Sequence, residues 1–516
     1  MKINSCKALP LIIGLTLPSP ALAQVKVNPK TMPAIGQVDQ RFLSYNIEAV
    51  EITGGRFWKP FASANGATEH AKPVQPSDPY QYRPPIDLSN ARLRTLASAL
   101  SPAFVRVSGT WRNSTFFQND DAPALTTVPK GYKNVMTRAQ WKGVVDFSHA
   151  VGAEIVASVS ISDGTRDDHG NWTSSQAKEF FDYTKQVGGT ITATEFMNEP
   201  TFAAQGAAPA GYDAVMFAKD IKTFAAFIRT ESPGTIFLGP GSIGEGVPMI
   251  DGMPLPKMIS TEEMLKATGP IFDAFSYHFY TTLSERCVGK MGLAWDKALT
   301  PSYLDRNPRA ETYYASLRDR YLPGKPIWLT ETGEAGCGGS RSASTFVDSF
   351  RFMDQLGQMA QKNVQTVIVN TLASSDYGLV DEDTLAPRPD YWAALLWKRL
   401  MGTKVLDPGS IPNTELRVYA QCMKDTPGGV TLIALNIDQT SEHTLKLPIA
   451  GFQYTLSAPE LLSKDVSLNG AVLALSIDGS IPKLTGKSVL PGEISLAPRT
   501  ITFLALPHAK NANCKN

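Results

Sequence analysis

The chain has 516 residues, 43% of them hydrophobic and 19% charged, the balance of a well-packed globular protein with room for one large domain and a smaller one. Its 49 basic and 48 acidic side chains leave a formal charge of +1, which indicates neither a nucleic-acid surface nor a basic wall for a polyanion. After the first residues no apolar run reaches the roughly 18 residues of a membrane span.

In chain order, the first element reads as an export signal. Lys2 and Lys7 supply a positive end, residues 11–17 an apolar centre, and Ala21-Leu22-Ala23 a small-residue cleavage site. Cleavage after Ala23 removes both lysines and leaves 47 basic against 48 acidic groups, or −1; the mature chain is then expected to be secreted or periplasmic. Cys6 falls inside the signal, and Cys287, Cys337, Cys422 and Cys514 remain to pair in an oxidising compartment. Four cysteines allow three pairings. Cys287 with Cys337 and Cys422 with Cys514 keep each bridge within one expected domain, and the spacing suits no zinc site.

Segment 24–40 is expected to lend a strand to a second, all-β domain. From 41 to 403, short β-branched runs alternate with amphipathic stretches, the pattern of repeated β-α units. Strands are predicted at 42–48, 103–108, 154–160, 190–198, 235–238, 274–280, 326–331 and 365–371. Helices are predicted at 88–100, 137–151, 174–186, 212–229, 259–266, 309–321, 344–362 and 390–400. Parallel strands each followed by a helix close into a (β/α)8 barrel, an α/β fold whose chemistry sits at the C-terminal ends of the strands. A long aromatic- and Pro-rich insertion, 53–85, follows the first strand at that mouth. After Asp407-Pro408 the texture changes to short alternating runs at 416–421, 430–436, 444–447 and 500–506, which predict a C-terminal β-sandwich over 404–516.

Two runs carry the chemistry. Asn198-Glu199-Pro200 closes the fourth predicted strand and Trp328-Leu329-Thr330-Glu331-Thr332 the seventh. Alone, an Asn-Glu-Pro tripeptide reads as an ordinary strand-to-loop turn. Two strand-end glutamates on one barrel, however, are what glycosidic cleavage requires: one carboxyl group to protonate the leaving oxygen and another to attack or to activate water. Glu334 is the nearest competitor to Glu331, but it is expected beyond Gly333 on a loop, where a carboxylate is aimed less rigidly. Glu195, four residues before Glu199, is expected deeper in the barrel as a structural group.

These runs, together with Phe42-Leu43-Ser44, Arg106-Val107-Ser108-Gly109-Thr110, Tyr377-Gly378-Leu379-Val380-Asp381-Glu382, Asp390-Tyr391-Trp392, Gly402-Thr403-Lys404-Val405-Leu406 and Leu416-Arg417-Val418-Tyr419, resemble glycoside hydrolase family 79, the heparanase and β-glucuronidase family. The resemblance spans nearly the whole mature chain. It implies that Glu199 is the acid/base, Glu331 the nucleophile and Asn198 the partner of the sugar 2-hydroxyl. It further implies that Tyr377 and the backbone around Cys337-Gly338 receive a glucuronate carboxylate. Here the chain departs from the family, because Gly336-Cys337-Gly338-Gly339 partly replaces a Gly-rich run; a disulfide at Cys337 would stiffen it. Glu48 and Thr110 match positions lining the sugar site. His278 and Tyr280 are expected to orient the nucleophile or else simply to end a strand with buried aromatics. Arg106 is expected beneath Glu331, as the cation that keeps it ionised or as a plain structural ion pair. The family also implies a disulfide between Cys422 and Cys514.

Carboxyl groups about 5–5.5 Å apart leave no room for a water between them and enforce a covalent intermediate with retention. Glu199 should then be neutral at rest and Glu331 charged, the nearness of the second carboxylate raising the proton affinity of the first. The activity expected is that of an exo-β-glucuronidase with a carbohydrate substrate, no cofactor and no metal. An endo-acting, heparanase-like enzyme on heparan sulfate is the alternative, and an inactive carbohydrate-binding barrel the reading from another class. Near-neutral charge and the Trp58-containing insertion, which can close one end of a cleft, favour exo action. No long excisable linker follows Arg112, so no proteolytic activation is expected. Gly239-Pro240-Gly241-Ser242-Ile243-Gly244 has dinucleotide-loop spacing, yet Pro248 and Gly252 keep a helix from opening behind it. Asn113-Ser114-Thr115 and Asn171-Trp172-Thr173 match glycan acceptors.

Overall fold

The computed structural model describes residues 25–61, 78–253, 257–292 and 295–515; the expected export signal, with Cys6, and part of the insertion lie outside them. Eight strands form a closed parallel barrel: β1 (Leu43–Glu48), β2 (Ala103–Ser108), β3 (Ala153–Ser158), β4 (Ile191–Glu195), β5 (Ile236–Ser242), β6 (Ala274–Leu283), β7 (Ile327–Gly336) and β8 (Thr366–Val369), each paired with its chain neighbours and β8 with β1. A helix lies at each predicted helical segment, opened and closed by local chemistry. Thr137 and Gln140 cap one another's backbone to start Arg138–Val151, and Gly152 stops it in the left-handed region at φ 64°.

Alternation along the strands builds the site in layers. Phe104, Val156, Ala193, Leu238, Ala274, Trp328 and Ile368, from β2 to β8, form an apolar plug in the barrel, with the Phe104 and Trp328 rings 5.0 Å apart. Two residues further along, the same parity delivers Arg106, Glu195, Ser276 and Thr330, all buried. The polar floor of the mouth therefore rests on a close-packed base.

One irregularity matters for the chemistry. The pairing of β6 with β7 runs Tyr277 to Leu329 and then His278 to Glu331, so Thr330 is an extra residue in β7. Such a bulge shifts the parity of every later residue in its strand. Thr330 faces inward, donating to Glu195 Oε1 at 2.7 Å, and so does Glu331. The strand then continues to Gly336, so Glu331 does not end it, and Glu334 is not on a loop. Glu334 is buried in β7 on the outward parity, accepting from the backbone N–H and hydroxyl of Ser340 at 2.9 and 2.8 Å.

The second domain is a sandwich. One sheet includes Ala34–Gln37, Met401–Leu406, Leu416–Met423, Val430–Asn436, Gly451–Ser457 and Thr500–Leu506; the other joins Val25–Lys26, His443–Leu447 and Gly492–Leu496. Leu432 and Leu504 from the first share a core with Leu445 and Ile494 from the second. The first sheet's other face meets the barrel, where Tyr419 donates to Asp354 Oδ1 at 2.6 Å. Disulfides join Cys422 to Cys514 and Cys287 to Cys337. No described helix is long and apolar enough to cross a membrane.

Candidate active site

A cavity of about 710 Å³ opens beyond the C-terminal ends of the strands, with Glu48, Asn198, Glu199, Tyr280, Glu331 and Tyr377 in its wall. Thr110 and Cys337 line it as well, and a hairpin of Gly55–Trp58 and Tyr80–Arg83 contributes Trp58 and Tyr80.

Arg106 is the hub. Its side chain is wholly buried. Nε and Nη2 donate to Glu195 Oε2 at 2.9 and 2.7 Å, Nη1 to Glu331 Oε2 at 2.8 Å, and Nη2 to Asn198 Oδ1 at 2.9 Å. Burial works most strongly to raise the Glu195 pKa, but the Arg106 guanidinium, His278 and the Thr330 hydroxyl together outweigh it and hold the group below the usual carboxylate value. Glu195 is therefore a buried counter-charge. One cation thus ties a structural carboxylate to a cavity-facing one.

Glu199 stands four residues beyond β4, not at its end. It occupies the left-handed region at φ 50°, ψ 61°, a conformation that non-glycine residues adopt at a cost and that recurs at functional sites. Pro200 at the next position starts a short 3-10 turn. Burial raises the Glu199 pKa to about 7; Arg106 opposes this and the charge of Glu195 adds to it. The cause thus differs from the one expected, being withdrawal from water and Glu195 rather than the neighbouring Glu331.

His278 also departs from expectation. Its Nδ1 lies 3.1 Å from Glu199 Oε1 and 3.8 Å from Glu331 Oε2, so its hydrogen bond goes to Glu199 and not to the expected nucleophile. Burial, aided by Arg106 and opposed by Glu331, lowers the His278 pKa to about 4, which leaves a neutral ring above that pH. Arg106 Nη2 sits 3.2 Å from Nε2 and guanidinium nitrogens only donate. The two hydrogens of Nη2 already go to Glu195 and Asn198, but a ring N–H aimed at the cation would be repelled; Nε2 is therefore left bare, Nδ1 carries the hydrogen, and Glu199 Oε1 receives it. A proton resident on Glu199 is thereby assigned to Oε2.

Tyr280 is the residue that reaches Glu331, its hydroxyl donating to Oε1 at 2.8 Å. Asn370 Nδ2 donates to that hydroxyl at 2.8 Å and to Glu48 Oε1 at 3.1 Å. Burial first, then the charge of Glu331, holds Glu48 well above its usual pKa, and Glu48 Oε2 has no hydrogen-bond partner. Gly109 makes room for it: a Cβ there would meet Glu48 Oε2 at 1.4 Å, and φ is +89°. One oxygen of Glu199, one of Glu331 and a nitrogen of His278 all lie within 4.8 Å of one another. Three such atoms suit a cation in principle, but Nδ1 already carries a hydrogen and Arg106 already supplies the positive charge, so the donor set does not fit a metal.

The remaining expected positions divide. Asn198 adds a contact from Nδ2 to Thr110 Oγ1 at 3.5 Å, and Tyr377 stacks beside Tyr280 at 6.4 Å. Gly338 follows Cys337 of the cavity wall and packs against Trp58, whose Cβ a side chain at 338 would meet at 2.5 Å. Sequence reasoning missed Asn370 and Asn113. The latter grips the Asn198 backbone, accepting from its N–H at 2.8 Å and donating to its carbonyl at 3.0 Å; fully buried, it is no glycan acceptor. A polar residue inside the apolar run 365–371 was a visible signal for Asn370, whereas Asn113 was masked by its acceptor motif.

A protonated carboxyl facing a carboxylate held by a cation and a phenol can cleave an acetal with acid assistance. The model of glycosyl hydrolase family 79, N-terminal domain, matches residues 85–357. Heparanase of Mus musculus is 28% identical over 489 residues, covering 83% of this chain and 88% of that protein. Baicalin-beta-D-glucuronidase of Scutellaria baicalensis is 26% identical over 472 residues, covering 82% and 84%. Among solved structures, a 4-O-alpha-L-rhamnosyl-beta-D-glucuronidase from Fusarium oxysporum superposes with a TM-score of 0.62 at 13% identity, over 93% of this chain and 100% of that one, a likeness of fold. With the family model covering more than half its length, the chain belongs to glycosyl hydrolase family 79, and it is a glycoside hydrolase.

Proposed function

We propose that this glycoside hydrolase is a retaining, exo-acting β-glucuronidase that releases terminal β-linked glucuronic acid from oligosaccharides or glycoconjugates. One observation carries the reading: Glu199 and Glu331 each bring an oxygen within 4.8 Å of the other, in keeping with the close carboxyl pair, about 5–5.5 Å apart, of a retaining enzyme. Glu331 attacks the anomeric carbon as Glu199 passes its Oε2 proton to the departing glycosidic oxygen, giving a glycosyl ester. Glu199 then takes a proton from water, which attacks the same carbon and frees Glu331 with the sugar's configuration kept. Glu48, Asn198 and Asn370 meet sugar hydroxyls, and Tyr377 with the amides near Cys337 and Gly338 receives the carboxylate.

Support for the uronate comes from relatives whose names include heparanase and baicalin-beta-D-glucuronidase. Support for exo action comes from the hairpin, where Trp58 stacks on Tyr80 at 4.5 Å and meets Trp111 edge-on at 6.4 Å, walling one side of the cavity. Endo action on an acidic polymer stays the second reading because Arg56 and Lys133 also line the cavity, although Arg56 is paired with Asp78. We read the chain as exported, in keeping with its two disulfides. Assays with 4-nitrophenyl β-glucuronide, β-glucoside and β-galactoside, beside size analysis of digested heparan sulfate, test the reading. Release from the glucuronide without polymer shortening is expected; shortening of the polymer supports endo action, and no glucuronide turnover removes the assignment.

A further inference from the structure

The loop after β7 is held by two consecutive residues of one short helix, Glu285–Val288. Cys287 is bonded to Cys337, whose backbone stands in the left-handed region at φ 65° and which lines the cavity. Arg286, with a side chain 1% exposed, donates through Nη1 to the Cys337 carbonyl at 3.3 Å and to the Gly339 carbonyl, and pairs with Asp376 through Nη2. Its Nε donates to the Lys59 carbonyl at 2.8 Å, and the Phe61 ring covers its guanidinium at 3.7 Å. The Gly338 carbonyl is held from the other side by the Asp376 N–H at 3.1 Å and the Ser375 hydroxyl at 2.9 Å.

These contacts orient peptide planes. In a trans peptide the C=O and the following N–H point in opposite directions, so drawing the Cys337 carbonyl onto Arg286 turns the Gly338 N–H away from it. That N–H has no hydrogen-bond acceptor among the described residues. It belongs to a loop fastened to Asp376, the residue before Tyr377. A loop with left-handed positions at Cys337, Gly338 and Gly339 has no strand ladder of its own to keep this orientation, and the clamp supplies it.

We propose that Arg286 and Cys287 are positioning residues that set the amide of Gly338 for the uronate carboxylate, so that the Cys287–Cys337 bridge governs affinity for acidic sugars and not merely stability. The inference rests on the glucuronidase reading. It also separates from that reading: a wild type that does not cleave 4-nitrophenyl β-glucuronide removes the reading, whereas a working wild type with an insensitive clamp removes only the inference.

The test is the kinetics of Cys287→Ser on that substrate, with inhibition by free glucuronate measured in parallel. Losing one aimed amide donor to a charged group should raise KM and the inhibition constant at least about tenfold while kcat stays within about threefold. Arg286→Lys, which keeps the cation and one donor, should give a smaller rise in KM and provides the same readout should the cysteine variant not fold. Unchanged KM in both variants, or a fall in kcat with KM unmoved, would overturn the proposal.

Discussion

Thr330 and Glu331 are consecutive residues of one strand, and both side chains turn into the barrel: Thr330 donates to Glu195 and Glu331 accepts from Arg106. Regular alternation would send one of them outward. The bulge at Thr330 is what brings the carboxylate over the polar floor, and it also sets the two candidates on β7 apart, because from Glu331 onward Glu334 keeps the outward parity.

That difference in parity separates the two glutamates kinetically. Glu331→Gln should lower kcat by about 10⁴-fold or more, since the proposed attacking oxygen is replaced while the fold is kept. Glu334→Gln, whose hydrogen bonds go to Ser340 behind the cavity, should keep kcat within about tenfold. Steady-state kinetics of the two variants check this, and a reversed order would exchange their roles.

As the proposed acid, Glu199 is expected to set the alkaline side of the pH profile. Burial raises its pKa to about 7, and the first chemical step requires the protonated form. The rate constant kcat/KM should therefore hold below that pH and fall tenfold per unit above it. In Glu199→Gln the limb should vanish along with most of the activity. A limb that persists in the variant would belong to another group.

Arg106 holds two buried carboxylates at once, Glu195 and Glu331, and its own loss leaves them uncompensated. Breaking a buried ion pair by removing one partner costs about 3–5 kcal/mol. Arg106→Met should accordingly lower the melting temperature by roughly 3–7 °C, the unfolding entropy of so long a chain being large, in addition to abolishing turnover. A melting temperature within a degree of wild type would mean that the network contributes nothing to the fold.

Gly109→Ala tests the seat of Glu48. Its new Cβ would fall on Glu48 Oε2, so the carboxyl must move from Asn370 and from the cavity. We expect kcat/KM to fall by about 10- to 100-fold, the loss of one or two hydrogen bonds, and Glu48→Gln to be milder because it keeps the position. An alanine variant with wild-type kinetics would show that Glu48 does not touch the sugar.

Much of the barrel was legible because periodicity and caps agree along the chain. The apolar runs ending near Glu195 and starting at Ile327 mark β4 and β7, and the Thr137 and Ser260 boxes mark helix starts. What failed were features set by tertiary pairing. The bulge at Thr330 depends on how β7 meets β6, and no local pattern distinguishes it from simple alternation; Glu334 was expected on a loop because Gly333 and the glycines after it read as the end of the strand, which continues to Gly336. The partner of His278 could not be read either, because a ring between two glutamates chooses by distance. The strand at Gly451–Ser457 was missed because a Gly start and the polar Gln453, Tyr454 and Thr455 blur the alternation.

The most direct test of the central claim is trapping with a 2-deoxy-2-fluoro-β-D-glucuronyl fluoride, followed by peptide mass analysis. The fluorine slows both steps, and the good leaving group allows the first to outrun the second. The two-glutamate account predicts a stoichiometric adduct, one 2-fluoroglucuronyl group on the peptide that contains Glu331, at the Glu331 side chain. Turnover of the unfluorinated substrate to the inverted anomer, with no adduct or with the adduct on another residue, would contradict it.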